Sequence, residues 1–115
     1  MDSVPLNAYS TKYHSHSQQE EFFYILAGCG LLRLNETEQE ISAGDFLAKP
    51  AGQGIAHTFF NSGKEPLVIL DFGTVEAEDA CYYPEERMFM QKSNGEVRVF
   101  HEGSLTENWT TEPNA

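Results

Sequence analysis

His14-Ser15-His16-Ser17-Gln18-Gln19-Glu20-Glu21 leads directly into the apolar run Phe22-Phe23-Tyr24-Ile25-Leu26-Ala27 and then Gly28. On a strand, period-two geometry sends both imidazoles of His14-Ser15-His16 to one face. Two imidazoles on one face, followed at once by carboxylates, give the mixed nitrogen and oxygen donors that suit a borderline divalent cation. Pattern alone does not choose between Glu20 and Glu21. The run Phe22 to Leu26 is apolar at successive positions, which predicts a strand buried on both faces.

Outward from this stretch almost everything reads as strand. Short apolar runs lie at Leu31 to Leu34, Phe46 to Ala48, His57 to Phe60, Leu67 to Phe72, Met88 to Met90 and Val97 to Phe100. Turn chemistry separates them at Gly28-Cys29-Gly30, Asn35-Glu36-Thr37, Ala43-Gly44-Asp45, Asn61-Ser62-Gly63 and Asn94-Gly95. Asn94-Gly95 is the strongest hairpin signal, because both central positions of a type I′ turn need φ > 0. A single helical alternative exists at Pro84-Glu85-Glu86-Arg87. Many short strands about ten residues apart predict an all-β sandwich or barrel. One domain fills 1–115, with its core over about 5–102 and a polar tail at 103–115 that carries an anchor-like Trp109.

The chain has 18 acidic and 7 basic side chains, a formal net charge of −11. A polyanion would be repelled, which sets nucleic acid and anionic membrane surfaces aside. No apolar run approaches the roughly 18 residues that span a bilayer, and the stretch Pro66 to Phe72 is strand-sized; no secretory signal is visible. Cys29 and Cys81 match no redox or metal spacing and read as reduced, largely buried thiols. The expected compartment is therefore the cytoplasm.

His14, His16, Glu21 and Gly28 fall at the spacing of the first cupin motif, which the stretch resembles. Gly44-Asp45-Phe46-Leu47-Ala48-Lys49-Pro50 and Gly54-Ile55-Ala56-His57-Thr58-Phe59-Phe60-Asn61 resemble the second. Pro50 to Gly54 is two residues longer than the usual step, and a longer turn costs little. The resemblance implies a cupin-type double-stranded β-helix, or jelly-roll, barrel. It also implies that His14, His16, Glu21 and His57 bind one divalent metal ion (Fe, Mn, Ni, Co or Zn). It selects Glu21 over Glu20 and leaves His101 as a surface residue. Asn61 reads as a turn residue that hydrogen bonds to backbone.

Three imidazoles and one carboxylate leave two positions open on an octahedral ion, the mark of a catalytic site. The expected activity is a metal-dependent reaction on a small polar metabolite, of oxygenase or isomerase type. The alternative is a non-catalytic barrel that binds a small ligand through its metal. Phe23, Ile25 and Phe59 are the candidate pocket walls, and Asp71 and Tyr24 the possible proton-transfer groups. A protic residue at the site would favour the enzyme, and a wholly apolar pocket would favour binding alone. Few residues precede His14, so the segment Val4 to Tyr13 is expected to form one strand that two copies could exchange. Sheet-on-sheet packing is the other route to the expected homodimer.

Overall fold

The computed structural model describes residues 1–114, and eleven strands follow one another among these described residues. Two sheets enclose the core. The first has the order β1 (Asp2–Val4), β8 (Leu67–Gly73), β3 (Glu21–Ala27), β6 (Phe46–Lys49). The second runs β5 (Thr37–Ser42), β4 (Cys29–Leu34), β7 (His57–Phe60). Val4, Phe23, Ile25, Leu67 and Ile69 from the first sheet pack against Leu32, Ile41 and Phe59 from the second. Pairing is antiparallel throughout, as hairpins and their longer relatives require.

A third sheet extends from this body as a leaf: β11 (Glu96–His101), β10 (Met88–Ser93), β9 (Glu78–Tyr83), β2 (Ser15–His16). Its ladder to the body is only two residue pairs long, Ser15 with Tyr82 and His16 with Cys81. The described residues extend 63 × 25 × 21 Å with a radius of gyration of 16.8 Å. A close-packed chain of this length would have about 13 Å, and the difference comes from the projecting leaf and tail.

The turns follow their chemistry. Asn94 and Gly95 take φ of 47° and 84° and close the β10–β11 hairpin as predicted. Gly28 has φ of +84°, and a Cβ there would stand 2.7 Å from the carbonyl oxygen of Pro66, so only glycine fits. Asn61 is fully buried and donates Nδ2 to the carbonyls of Val4 and Glu65 at 2.9 and 2.8 Å.

Several expectations are corrected. Pro84 to Arg87 is a turn joining β9 to β10, not a helix, since Arg87 takes φ of 53°. Val4 to Tyr13 is not one strand. Chain 2–4 pairs with β8, and the following residues line β7 through Asn7 N to Asn61 O and Ser10 N to Phe59 O. The edge is thus covered from within the same chain. Cys29 is exposed, while Cys81 is buried, and both are free. Trp109 is 73% exposed and anchors nothing. The run Phe22 to Leu26 buries Phe23 and Ile25 but leaves Tyr24 and Leu26 exposed, so one face of this sheet stays open. No helix among the described residues is long and apolar enough to cross a membrane.

Candidate metal centre

The predicted residues converge where the body meets the leaf. His14 bridges to His57 at the edge of β7, His16 lies on β2, and Glu21 opens β3 opposite Lys49. One donor atom from each of His14, Glu21 and His57 lies within 4.8 Å of the others. His16 joins them through its Nε2, 3.2 Å from His14 Nε2 and 3.2 Å from Glu21 Oε1.

The outer ring nitrogens fix the tautomers. His14 Nδ1 lies 2.7 Å from the Lys12 carbonyl oxygen, and His16 Nδ1 lies 2.6 Å from Asp79 Oδ2. A carbonyl and a carboxylate only accept, so in the neutral rings both Nδ1 atoms carry the proton and both Nε2 atoms present lone pairs. Two lone pairs 3.2 Å apart repel each other unless a cation lies between them. Burial pushes the His14 imidazole below its ordinary pKa, which opposes a proton in that role. Glu21 Oε1 is buried with no partner in hydrogen-bonding geometry, although Lys49 Nζ stands 2.9 Å away. Two facing lone pairs and an unsatisfied buried carboxylate oxygen fit a divalent cation with nitrogen and oxygen ligands.

Lys49 is the residue that sequence reasoning missed here. Its side chain is 1% exposed, paired with Glu21 and 2.7 Å from His57 Nδ1. Burial, then the Lys49 charge, pushes the His57 imidazole down to about 2, so it is neutral at any physiological pH. An ammonium donating to Nδ1 would leave the proton of neutral His57 on Nε2. His57 can therefore ligate through Nε2 only when its Nδ1 proton points at a neutral Lys49 amine or the contact is released. Burial lowers the Lys49 pKa, against the attraction of Glu21. Its signal in the sequence was one cation at an inward position of the apolar strand Phe46-Leu47-Ala48-Lys49.

Asp79 is the second missed residue. Besides His16 it accepts from Gln18 N and Gln19 N at 2.9 and 3.2 Å. Burial alone would push this carboxyl up, but these donors outweigh it and hold the pKa low. Asp79→Asn would turn an amide N–H toward His16 Nδ1 and move the ring proton to Nε2. The expected result is a metal affinity about 10–100-fold weaker, read by competition with a chelating dye; unchanged affinity would show that Asp79 does not set the ring. Nearby, the Tyr83 ring stacks on His14 with centroids 5.4 Å apart. Cys81 Sγ lies 3.3 Å from His16 Nδ1, and burial raises its thiol to about 11.

A cavity of about 80 Å³ adjoins His14, Glu21 and His57, with Phe23, Phe59 and Ile69 as apolar walls and Asp2, Ser10, Thr11 and Asp71 as polar ones. Asp71 thus faces the candidate centre. The Asp71 side chain bonds to Asp2, and that contact, with burial, pushes the Asp2 carboxyl up. The other candidate proton-transfer group, Tyr24, points to the opposite face of the sheet and is exposed. Ile25 packs in the core and lines a separate hollow with Phe46 and Ile41, so of the three expected wall residues only Phe23 and Phe59 reach this cavity.

Comparison with known proteins matches this architecture. A structure from Acidithiobacillus ferrooxidans, described as a candidate sugar phosphate isomerase, superposes with a TM-score of 0.87 at 30% identity, covering 94% of this chain and 69% of that one. A sugar phosphate isomerase of the cupin superfamily from Silicibacter pomeroyi gives 0.83 at 26% identity, covering 90% and 68%. The uncharacterized protein MJ1618 of Methanocaldococcus jannaschii is 35% identical over 81 residues, 70% of this chain and 55% of that protein, so the chain spans about half the length of that relative. Residues 2–73 match the family of the Cupin domain. With two facing sheets, both sequence motifs and more than half of its length accounted for in this way, the chain belongs to the cupin family.

Proposed function

We propose that this cupin is a divalent-metal-dependent enzyme that moves protons on a small polar metabolite with neighbouring hydroxyl and carbonyl oxygens, an isomerase-type reaction. The observation that carries this reading is the cavity in which the donors of His14, Glu21 and His57 share a wall with the Asp71–Asp2 carboxyl pair. At its edge, His14, Glu21 and His57, with His16 beside them, would hold one ion. Its identity among Fe, Mn, Ni, Co and Zn is open to any that accept nitrogen and oxygen donors. When bound, the ion supplies a Lewis acid that polarises a substrate oxygen.

The chain's own residues supply the rest. Phe23 and Phe59 exclude water and hold the substrate's carbon skeleton against the ligands. Asp71 takes a proton from the carbon beside the carbonyl and returns it to the neighbouring carbon. Asp2, whose carboxyl holds its proton more tightly than usual, gives that proton to the carbonyl oxygen and regains one from the neighbouring hydroxyl, so no net proton is lost. A cavity of about 80 Å³ admits only the reacting end of a substrate, so the remainder would project outward. The likeness to two structures described as sugar phosphate isomerases supports isomerisation over oxygenation. A wholly apolar pocket would have favoured the non-catalytic reading, and Asp71 in its wall speaks for chemistry.

The metal-loaded protein should be screened over aldoses, ketoses and their phosphates for uptake of solvent deuterium at carbon. Asp71→Asn is expected to lower exchange by about 10²–10⁴-fold with metal content unchanged. Full exchange in that variant would remove Asp71 from the reaction. Ligand binding by wild type without exchange on any compound would favour the non-catalytic protein.

A further inference from the structure

The ring of His16 has a second nitrogen, and its surroundings differ from those of Nε2. Asp79 Oδ2 lies 2.6 Å from Nδ1, and Cys81 Sγ lies 3.3 Å from it. These three residues each bring a donor atom to within 4.8 Å of the others. Beside them is a hollow of about 130 Å³, lined also by Gln19, Glu76, Met90 and Lys92. The strands build this cluster. Asp79 and Cys81 stand two residues apart on β9 and so share a face. Register sets Cys81 opposite both His16 and Met90, which brings a thiol and a thioether to the same hollow.

A nitrogen and an oxygen donor beside two sulfurs make a softer set than the first centre, and thiolates select ions of the zinc class. Tetrahedral zinc with bonds of about 2.0–2.3 Å holds its donors about 3.3–3.6 Å apart. Cys81 Sγ already stands at that separation from Nδ1, and Asp79 Oδ2 need withdraw by less than about 1 Å. Burial raises the Cys81 thiol, so an ion must displace its proton on binding, as thiol ligands require. Glu76 and Lys92 bring opposite charges to the hollow, which leaves the Asp79 carboxylate to set the local sign.

We propose that His16 Nδ1, Asp79 Oδ2 and Cys81 Sγ form a second cation site, for a thiophilic ion of the Zn²⁺ class, which fills in alternation with the first centre. A neutral imidazole carries a proton on one nitrogen only. An ion on Nδ1 sends that proton to Nε2, where Glu21 Oε1 and His14 Nε2 each stand 3.2 Å away. The buried Glu21 oxygen that otherwise lacks a donor then gains one. With Nε2 protonated, His16 no longer ligates the first ion. The thiol proton leaves to solvent, so the chain releases one proton for each ion bound. The new site stands without the function proposed above, and only the alternation rests on the first centre.

Cd²⁺ is the probe, because its bond to a thiolate absorbs in the ultraviolet. Added to the chelator-treated full chain, it should bind at one ion per chain and give the thiolate-to-cadmium band. The band should persist in Cys29→Ser and in His14→Ala, which disables the first centre, and vanish in Cys81→Ser. Thiol labelling read by mass spectrometry needs no variant. At about ten times its Kd, Cd²⁺ should slow modification of Cys81 about 10-fold and leave Cys29 unchanged. Long-range proton–nitrogen NMR correlation should find the His16 proton on Nε2 in the Cd²⁺ form. No band, a band that follows Cys29 instead of Cys81, or Cys81 labelled at full speed overturns the site. Two Cd²⁺ ions per chain, or a His16 proton still on Nδ1, overturns the alternation.

Discussion

Lys49→Met is expected to cost the metal-free protein about 3 kcal/mol of stability and the metal-loaded protein less than about 1 kcal/mol. The methionine is one atom shorter than the lysine, fills most of its volume and removes the charge that now stands 2.9 Å from Glu21 Oε1. Without it, a buried carboxylate is left uncompensated, the situation in which removing one partner of a buried pair costs about 3–5 kcal/mol. In the loaded protein the bound ion supplies the positive charge instead. Urea denaturation with and without chelator measures both values. The cycle closes, so a difference of about 2 kcal/mol also means about 30-fold tighter metal binding by the variant. Losses of equal size in both states would show that Lys49 and the ion do not compete for Glu21.

His14→Ala should take the metal content of the purified protein from near one ion per chain to background. A ring nitrogen of His14 belongs to the group within 4.8 Å, and its Nε2 faces His16 Nε2 at 3.2 Å, so its loss removes a donor from the centre of the cluster. His57→Ala is expected to do the same, and it additionally frees Lys49 to pair with Glu21 alone. Elemental analysis is the check, and undiminished content in either variant removes that histidine from the centre. Chelation of the wild type should lower the melting temperature moderately through lost ligand linkage. The β-type circular dichroism should remain, because Val4, Phe23, Ile25, Leu32, Ile41, Phe59, Leu67 and Ile69 form the core without help from an ion. Collapse of the spectrum on adding EDTA would place this chain among proteins that fold on their metal.

The strands that could be read were those with short apolar runs, whether they face the core or, like Met88 to Met90 and Val97 to Phe100, lie on the leaf. Phe22 to Ala27, His57 to Phe60 and Leu67 to Phe72 lie within or equal to the observed β3, β7 and β8. β5, with the sequence Thr-Glu-Gln-Glu-Ile-Ser, buries only Ile41 and offered no apolar alternation to find. β9 was hidden for a related reason: in Glu76-Ala77-Glu78-Asp79 any single carboxylate reads as solvated. Its importance comes from a pairing with His16 across 63 residues that no local pattern carries. His14 and His16 were legible because two imidazoles two residues apart share a strand face, whereas Glu21 and His57 were singled out only by the resemblance to the cupin motifs. Lys49, Asp79 and Asp2 act through distant partners and leave no spacing. Successive apolar residues in β3 read as two covered faces, whereas only the face of Phe23 and Ile25 is covered.

Residues 2–73 supply every proposed ligand of the first centre, yet Asp79, Cys81 and Tyr83 all stand on β9, outside that stretch. The leaf's ladder to the body is only Ser15–Tyr82 and His16–Cys81, supplemented by Ser17 N to Ala80 O at 2.8 Å, Ala80 N to Ser17 Oγ at 2.8 Å, the Asp79 contacts with His16, Gln18 N and Gln19 N, and the Arg33–Glu85 ion pair at 2.7 Å. Local opening is easier where a ladder is short. Each opening would withdraw the carboxylate from His16 Nδ1 and let that ring turn. The residence time of a bound ion would then follow how often the leaf lifts as well as the strength of its bonds. The leaf would serve as a latch, through which a metal that binds tightly at equilibrium would still exchange.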